Sequence, residues 1–433
     1  MGQEMANPML QQGSWLRGLN VERQTRIADG LAAAFAISLP WSTSATSLFA
    51  LLWLIAVIPL LDLTTLRREI STPAGGFPVL LWVLGVIGML WAVDVPFKER
   101  LGGLSSFHKL LFIPLLMIQF RRSTRGAWVL TGYLASCSAL LVASWADLLL
   151  PMLLRQPIQT GRFQGVVVKD YIAQDMEFVV CAFLFAALAM RAWRDQRRWR
   201  AGVMAFLAVI FVANVLYNGS SRTALLIVAT LLVLFAWRIP SRNERIWIVL
   251  AVLAAGVVAW PLTSQLRTNV ATMWNEIQSF KPEAARTRAG ERIIFWQKSI
   301  DFISTAPILG HGTGSITDQF RRSAEGLTGM AGVASANPHN QTFAVAIQLG
   351  LVGTAVLFAM WMTHLLVFRG PGLAAWVGLV VVTQNVIGSL VNSHLFDFTH
   401  GWSYVVGVGV AGGIVLANGR QSAETLQRPA AAP

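Results

Sequence analysis

Apolar runs of roughly 20 residues follow one another along this chain with only short polar joins, and that succession leaves it few ways to fold. About 20 apolar residues are what a helix needs to cross the hydrocarbon core of a bilayer. Twelve runs of this kind are read, near 29–42, 46–62, 77–93, 104–120, 127–150, 174–193, 201–217, 222–238, 245–263, 340–366, 372–390 and 402–418. They are continuously apolar rather than alternating, so a sheet or barrel has no support. Charged residues make up 13% of the chain, against about a quarter in soluble domains. The expectation is an all-α polytopic membrane protein with about 12 transmembrane helices. It reads as one large helical body, not as a soluble enzyme with an anchor.

The chain then divides by polarity. Residues 1–28 form a polar N-terminal segment, 29–263 carry helices 1–9, 264–339 form one long polar loop, 340–418 carry helices 10–12, and 419–433 form a tail. No signal peptide is expected, because the first apolar run ends in Leu39-Pro40-Trp41 without a small-residue cleavage site. Cys137 and Cys181 both lie inside apolar runs, which excludes a disulfide framework or a cysteine metal site in a polar loop.

Arginines give the direction. Alternate connections hold Arg17, Arg23, Arg26, Arg67, Arg68, Arg121, Arg122, Arg125, Arg191, Arg194, Arg197, Arg198, Arg200, Arg238, Arg242, Arg245, Arg369, Arg420 and Arg428, which is 19 basic residues, while the short connections on the other side hold seven. Basic residues favour the cytoplasmic side of short loops, so both termini are expected in the cytoplasm. The net charge of +13 is thereby a topology signal, and nucleic acid is not an expected partner. Eight more basic residues lie between 264 and 339. That loop faces outward, and long loops are exempt from the topology rule, so these cations need another explanation.

Within the loop, RTRAGERIIFWQKSIDFIS (286–304) has helical spacing, with Ile293, Trp296, Ile300 and Ile303 as its apolar stripe. Arg288 and Arg292 stand four apart, so they are neighbours on a flanking face. Like charges there repel by a few tenths of a kcal/mol, and an anion between them reverses the sign. Glu283 and Glu291 offer the plainer alternative of neutralising the pair on a solvated face. Arg222 opens a span in YNGSSRTALLIV (217–228), on the outer side of a very short loop. It reads either as snorkelling to headgroups or as a site for a lipid diphosphate.

PILGHGTGS (307–315) is rich in glycine but lacks the lysine of a nucleotide loop, and it reads as a tight turn that needs positive φ. His311 is then a turn residue. NSHLFDFTH (392–400) supplies His394, Asp397 and His400 between the last two spans. Their spacing fits no ligand pair on a helix face, and a site including His311 and His339 needs separate loops to converge, so no metal is expected. His339, in NPHNQ at the lip of a span, is either a capping histidine or a base.

Taken in order, Ser221-Arg222, the Arg-x-x-x-Trp from Arg292 to Trp296, the P-x-L-G-x-G-x-G from Pro307 to Gly314, and His339-Asn340 before a span with Gly350 and Gly353 resemble the O-antigen ligase family. The resemblance covers roughly residues 200–370; the polymerases of the same superfamily share it. It implies a GT-C-like membrane glycosyltransferase of the bacterial inner membrane with a periplasmic active site, working without metal or cofactor. The implied donor is O-antigen on undecaprenyl diphosphate and the implied acceptor is the lipid A-core oligosaccharide. His339 is the implied base and Arg222, Arg288 and Arg292 the implied diphosphate ligands, with Asn340 and Trp296 as support. Ligase is preferred to polymerase or protein O-oligosaccharyltransferase on general similarity alone. A secondary transporter or flippase is the rival of another class, and it would place its charges at mid-membrane on broken helices.

Overall fold

A computed structural model describes residues 20–153, 164–218, 221–239, 241–246, 248–250, 264–278, 287–329 and 331–427. Among these residues the regular structure is helical and includes no strand. In order, the helices are α1 (Val21–Ser38), α2 (Thr43–Val57), α3 (Leu63–Ile70), α4 (Pro73–Gly88), α5 (Phe97–His108), α6 (Phe112–Arg122), α7 (Gly126–Leu153) and α8 (Tyr171–Arg194). They continue as α9 (Arg198–Asn218), α10 (Arg222–Arg238), α11 (Ser264–Gln278), α12 (Arg288–Thr305), α13 (Ser315–Ala324), α14 (Gln341–Val367), α15 (Leu373–Ser389) and α16 (Phe398–Gln427).

Seven described helices are long and apolar enough to cross a membrane, or eight if α3 and α4, bent by 87°, count as one span. The chain is therefore an all-α polytopic membrane protein, but the twelve spans read from the sequence are not reached among the described residues. The reasons are local. The run at 222–238 yields a helix of 17 residues, as does 372–390, short of the roughly 20 that a perpendicular span uses. The run at 29–42 falls in α1, whose first half is polar. Most of 245–263 lies outside the described residues.

The bundle core joins nearly all the long helices. α1 packs on α2 and α7, α8 on α9, α6 on α16, and α14 on α4 and α15. Trp53, Phe107, Phe178, Phe211 and Tyr404 are fully buried within it. Outward faces of α2, α9 and α10 present Leu51, Ile55, Phe206 and Val233, as expected where lipid rather than water is the solvent.

A second, smaller core lies beneath the site. Ile294, Phe295 and Phe302 of α12 pack with Ile316 and Phe320 of α13 and with Ala344 and Ile347 of α14. The face of α12 turned to this core carries Ile294, Phe295, Ser299 and Phe302, while of the apolar stripe read from the sequence Ile300 is 56% exposed and Ile293, Trp296 and Ile303 are half-buried. The two phenylalanines win because each meets Phe320 edge-on, with ring centroids 5.3 and 5.2 Å away, and large aromatic rings gain most from burial.

The glycine segment 307–315 docks on a break in α14. Gly350 sits inside that helix at φ 60°, ψ −155°, and a Cβ there would meet the Ile308 carbonyl oxygen at 2.2 Å. The backbone groups at the break are taken up by the turn. His311 N donates to Ile347 O (2.8 Å), Gly312 N to Gln348 O (2.9 Å) and Leu351 N to Pro307 O (2.8 Å). Buried peptide groups must be paired, so turn and break require each other.

Candidate functional site

α14 starts at a polar knot. Asn340 caps it by accepting from Phe343 N (3.1 Å) and donates from Nδ2 to Leu390 O (2.9 Å), which ties this end to the end of α15. His339, just before the cap, has φ +52°. A non-glycine residue held there costs on the order of 1 kcal/mol or more and needs support. The support is visible: Asn337 Oδ1 accepts from His339 N (2.8 Å) and from Ser393 Oγ (2.7 Å).

The imidazole is half-buried between α12 and the α15–α16 connection. Phe295 lies parallel to it, with centroids 5.9 Å apart, and Trp296 Nε1 donates to the His339 carbonyl (3.4 Å). Nδ1 of His339 faces Asn392 Oδ1 at 3.1 Å. Burial pulls its pKa below the usual 6.5; the Asn392 contact opposes this, and the Arg292 charge lowers it further. Arg292, Trp296, His339 and Asn340 are thus brought to one place.

Arg222 and Arg288 occupy equivalent positions, each as the first residue of its helix, Arg222 on α10 and Arg288 on α12, the helix that also carries Arg292. Ser221 caps α10 by accepting from Ala224 N (3.2 Å), which makes Arg222 its first residue. Thr287 caps α12 by accepting from Gly290 N (3.1 Å), which makes Arg288 its first residue. The Arg222 guanidinium at the positive end of α10 is disfavoured by the macrodipole, and an anion relieves it. The Arg222 fork is held by Glu276 of α11 at 2.9 and 3.2 Å, a partner not anticipated from the sequence. The Arg288 side chain lies outside what is described. His311, as read, is a turn residue: its Nε2 contacts Phe302 O (2.8 Å) and Thr305 Oγ1 (3.1 Å).

The α15–α16 connection departs from the sequence reading. His394, Asp397 and His400 do meet, with ligand atoms within 4.8 Å of one another and the two imidazoles stacked at 4.1 Å. One tight turn brings them together, so no separate loops have to converge. Arg292 adds to burial in holding the His394 pKa low, and Lys109 Nζ donates to the carbonyls of Phe396 and Asp397 (3.0 and 2.7 Å). The ring nitrogens of both histidines are buried without hydrogen-bond partners among the described residues.

A cavity of about 460 Å³ opens beside the knot, lined among others by Glu99, Ser106, Thr317, Asn337, Ser393 and Asp397. Its hydroxyls and carboxylates suit a hydroxyl-rich ligand, and its size is that of small-molecule sites. Another cavity of about 550 Å³ is mainly apolar, lies between α1, α7, α8, α15 and α16, and includes none of the knot residues. Sequence reasoning passed over Asn337, Asn392, Lys109 and Glu276. The first two sit in turn-like polar clusters, and the charged pair carried no motif.

Residues 206–358 match the family model described as O-antigen ligase, a segment that contains Arg222, Arg288, Arg292, Trp296, His339 and Asn340. No curated protein matches the chain.

Proposed function

We propose, for a chain that belongs to the O-antigen ligase family through residues 206–358, that it moves O-antigen polysaccharide from undecaprenyl diphosphate to a sugar hydroxyl of the lipid A core. The reading puts the reaction on the periplasmic face of the bacterial inner membrane with both termini in the cytoplasm, following the arginine bias. His339 takes the acceptor proton. Arg292, with Arg222 and Arg288, holds the diphosphate, and Asn340 and Trp296 keep the histidine in place.

Transfer from a lipid diphosphate needs charge stabilisation on the leaving group and removal of a proton from the nucleophile. Guanidinium forks supply the first at any relevant pH and match phosphate oxygens. An imidazole whose pKa lies below 6.5 supplies the second, because it is neutral at pH 7. No dication is required in the bond-breaking step. Attack from the face opposite the diphosphate inverts the anomeric carbon. The polar cavity beside the knot offers the acceptor sugar a seat.

One observation carries this reading: His339, strained at φ +52°, stands where the Arg292 charge reaches it. Strain of this kind collects at reacting groups. The test is purified protein in liposomes, given a polyprenyl-diphosphate-linked glycan and lipid A-core. Glycosylated lipid A-core supports ligation. Lengthening of the lipid-linked glycan in its place assigns a polymerase, and movement of the donor across the bilayer without transfer assigns a flippase.

A further inference from the structure

The hydrogen position on His339 is set from behind. Asn392 Oδ1 lies 3.1 Å from His339 Nδ1 and also accepts from Ser393 N (3.0 Å) and Asn337 Nδ2 (3.3 Å). Asn392 Nδ2 donates to Asp397 Oδ2 (3.3 Å). The two ends of an amide have nearly the same shape, so its neighbours decide which is which. An ionised carboxylate only accepts, and a backbone N–H only donates. Asp397 and Ser393 N therefore demand the same orientation, with oxygen toward the imidazole. Facing an acceptor, Nδ1 carries the hydrogen and the lone pair is left on Nε2.

We propose that Asn392, oriented by Asp397, is a positioning residue that commits His339 to the Nδ1–H form and thereby makes Nε2 the base. The inference rests on the reading of His339 given above. In the step, Nε2 takes the hydrogen of the acceptor hydroxyl as that oxygen bonds to the anomeric carbon. The bond from the anomeric carbon to the diphosphate breaks, and its electron pair leaves on the diphosphate oxygen. The imidazolium so formed keeps Nδ1–H on the Asn392 carbonyl, whose dipole favours the new charge. A histidine of the other tautomer would present a hydrogen to the acceptor and take none.

The charged groups facing His339 are Arg292 and Glu291 of α12 and Asp397 of the α15–α16 connection. Lys109, where α5 meets α6, is bonded to the backbone of Asp397, and the stacked rings of His394 and His400 complete the surroundings of that carboxylate. Asn392 itself is 9% exposed, so water does not compete freely for its amide.

Two substitutions test the assignment in the full-length protein in liposomes. Asn392→Leu removes the acceptor, and kcat is expected to fall between about 10-fold and the ~10²–10⁴-fold that a general base supplies, with donor KM little changed. Asn392→Asp keeps an acceptor and adds a negative charge, so part of the activity returns and the acid limb of the pH profile moves to higher pH. A packing role alone would lower thermal stability and leave that limb in place. Normal kcat in Asn392→Leu, or an unmoved limb in Asn392→Asp, overturns the positioning role. If Asn392→Leu does not fold, the Asn392→Asp profile decides alone. An active His339→Ala variant refutes the base itself; an inactive one beside a normal Asn392→Leu refutes only the positioning.

Discussion

Phe295 lies parallel to His339, tilted by only 10° with ring centroids 5.9 Å apart. The phenyl ring closes one face of the imidazole to water, and burial is the largest cause of its lowered pKa. A base works when deprotonated, so a lowered pKa keeps it active to lower pH. The acid limb of kcat/KM is expected below the usual imidazole value of about 6.5. A limb above that value would count against His339. Its substitution by alanine should cost ~10²–10⁴-fold in kcat, with insertion and thermal stability kept.

Arg222 and Glu276 give a second prediction. Their fork at 2.9 and 3.2 Å means that a diphosphate has to compete with a carboxylate for the same guanidinium. Glu276→Gln should tighten donor binding, by up to ~5-fold for the ~1 kcal/mol of a partly exposed pair. Arg222→Lys should weaken it, since a point charge does not replace a fork. Equal donor affinity in both variants would remove Arg222 from the site.

Gly350 tests the docking of the glycine turn. Its φ is +60°, and the Ile308 carbonyl oxygen lies 2.2 Å from where a side-chain methyl would stand. Gly350→Ala should therefore cost ~2 kcal/mol or more. Gly202 of α9 has open space around it, so Gly202→Ala is the control. Thermal unfolding in detergent compares the two, and equal midpoints would contradict the geometry.

Chelation tests the chemistry assigned to the arginines. Activity after exhaustive EDTA treatment and dialysis is expected to be unchanged, because forked cations hold the diphosphate. A loss restored by a divalent ion would return attention to His394, Asp397 and His400.

What could be read ahead of the structure follows from range. Apolar runs and positive-φ glycines are local, so the helices and the turn at 307–315 were legible, whereas the capping role offered to His339 falls to Asn340, one residue on. The match of residues 206–358 falls on the stretch whose motifs resembled that family. The neighbours of His339 were not legible, because Asn392 is 53 positions away and no periodicity connects them. The buried face of α12 was missed for a related reason. Both faces of that helix are apolar, and the choice between them is made by Phe320, which stands on another helix. Seven or eight of the twelve spans stand among the described residues; most of 245–263 lies outside them, and two runs form helices of 17 residues.

The break at Gly350 gives α14 two mechanical parts. The stretch from Gln341 to Gly350, ten residues or about 15 Å of helix, is bonded at its far end to the 307–312 turn rather than continued into the remainder of the span. Its near end bears Asn340 and, one residue earlier, His339. The glycine turn and the histidine therefore stand at opposite ends of one short helical piece, and hydrogen bonds from other elements close it at both ends.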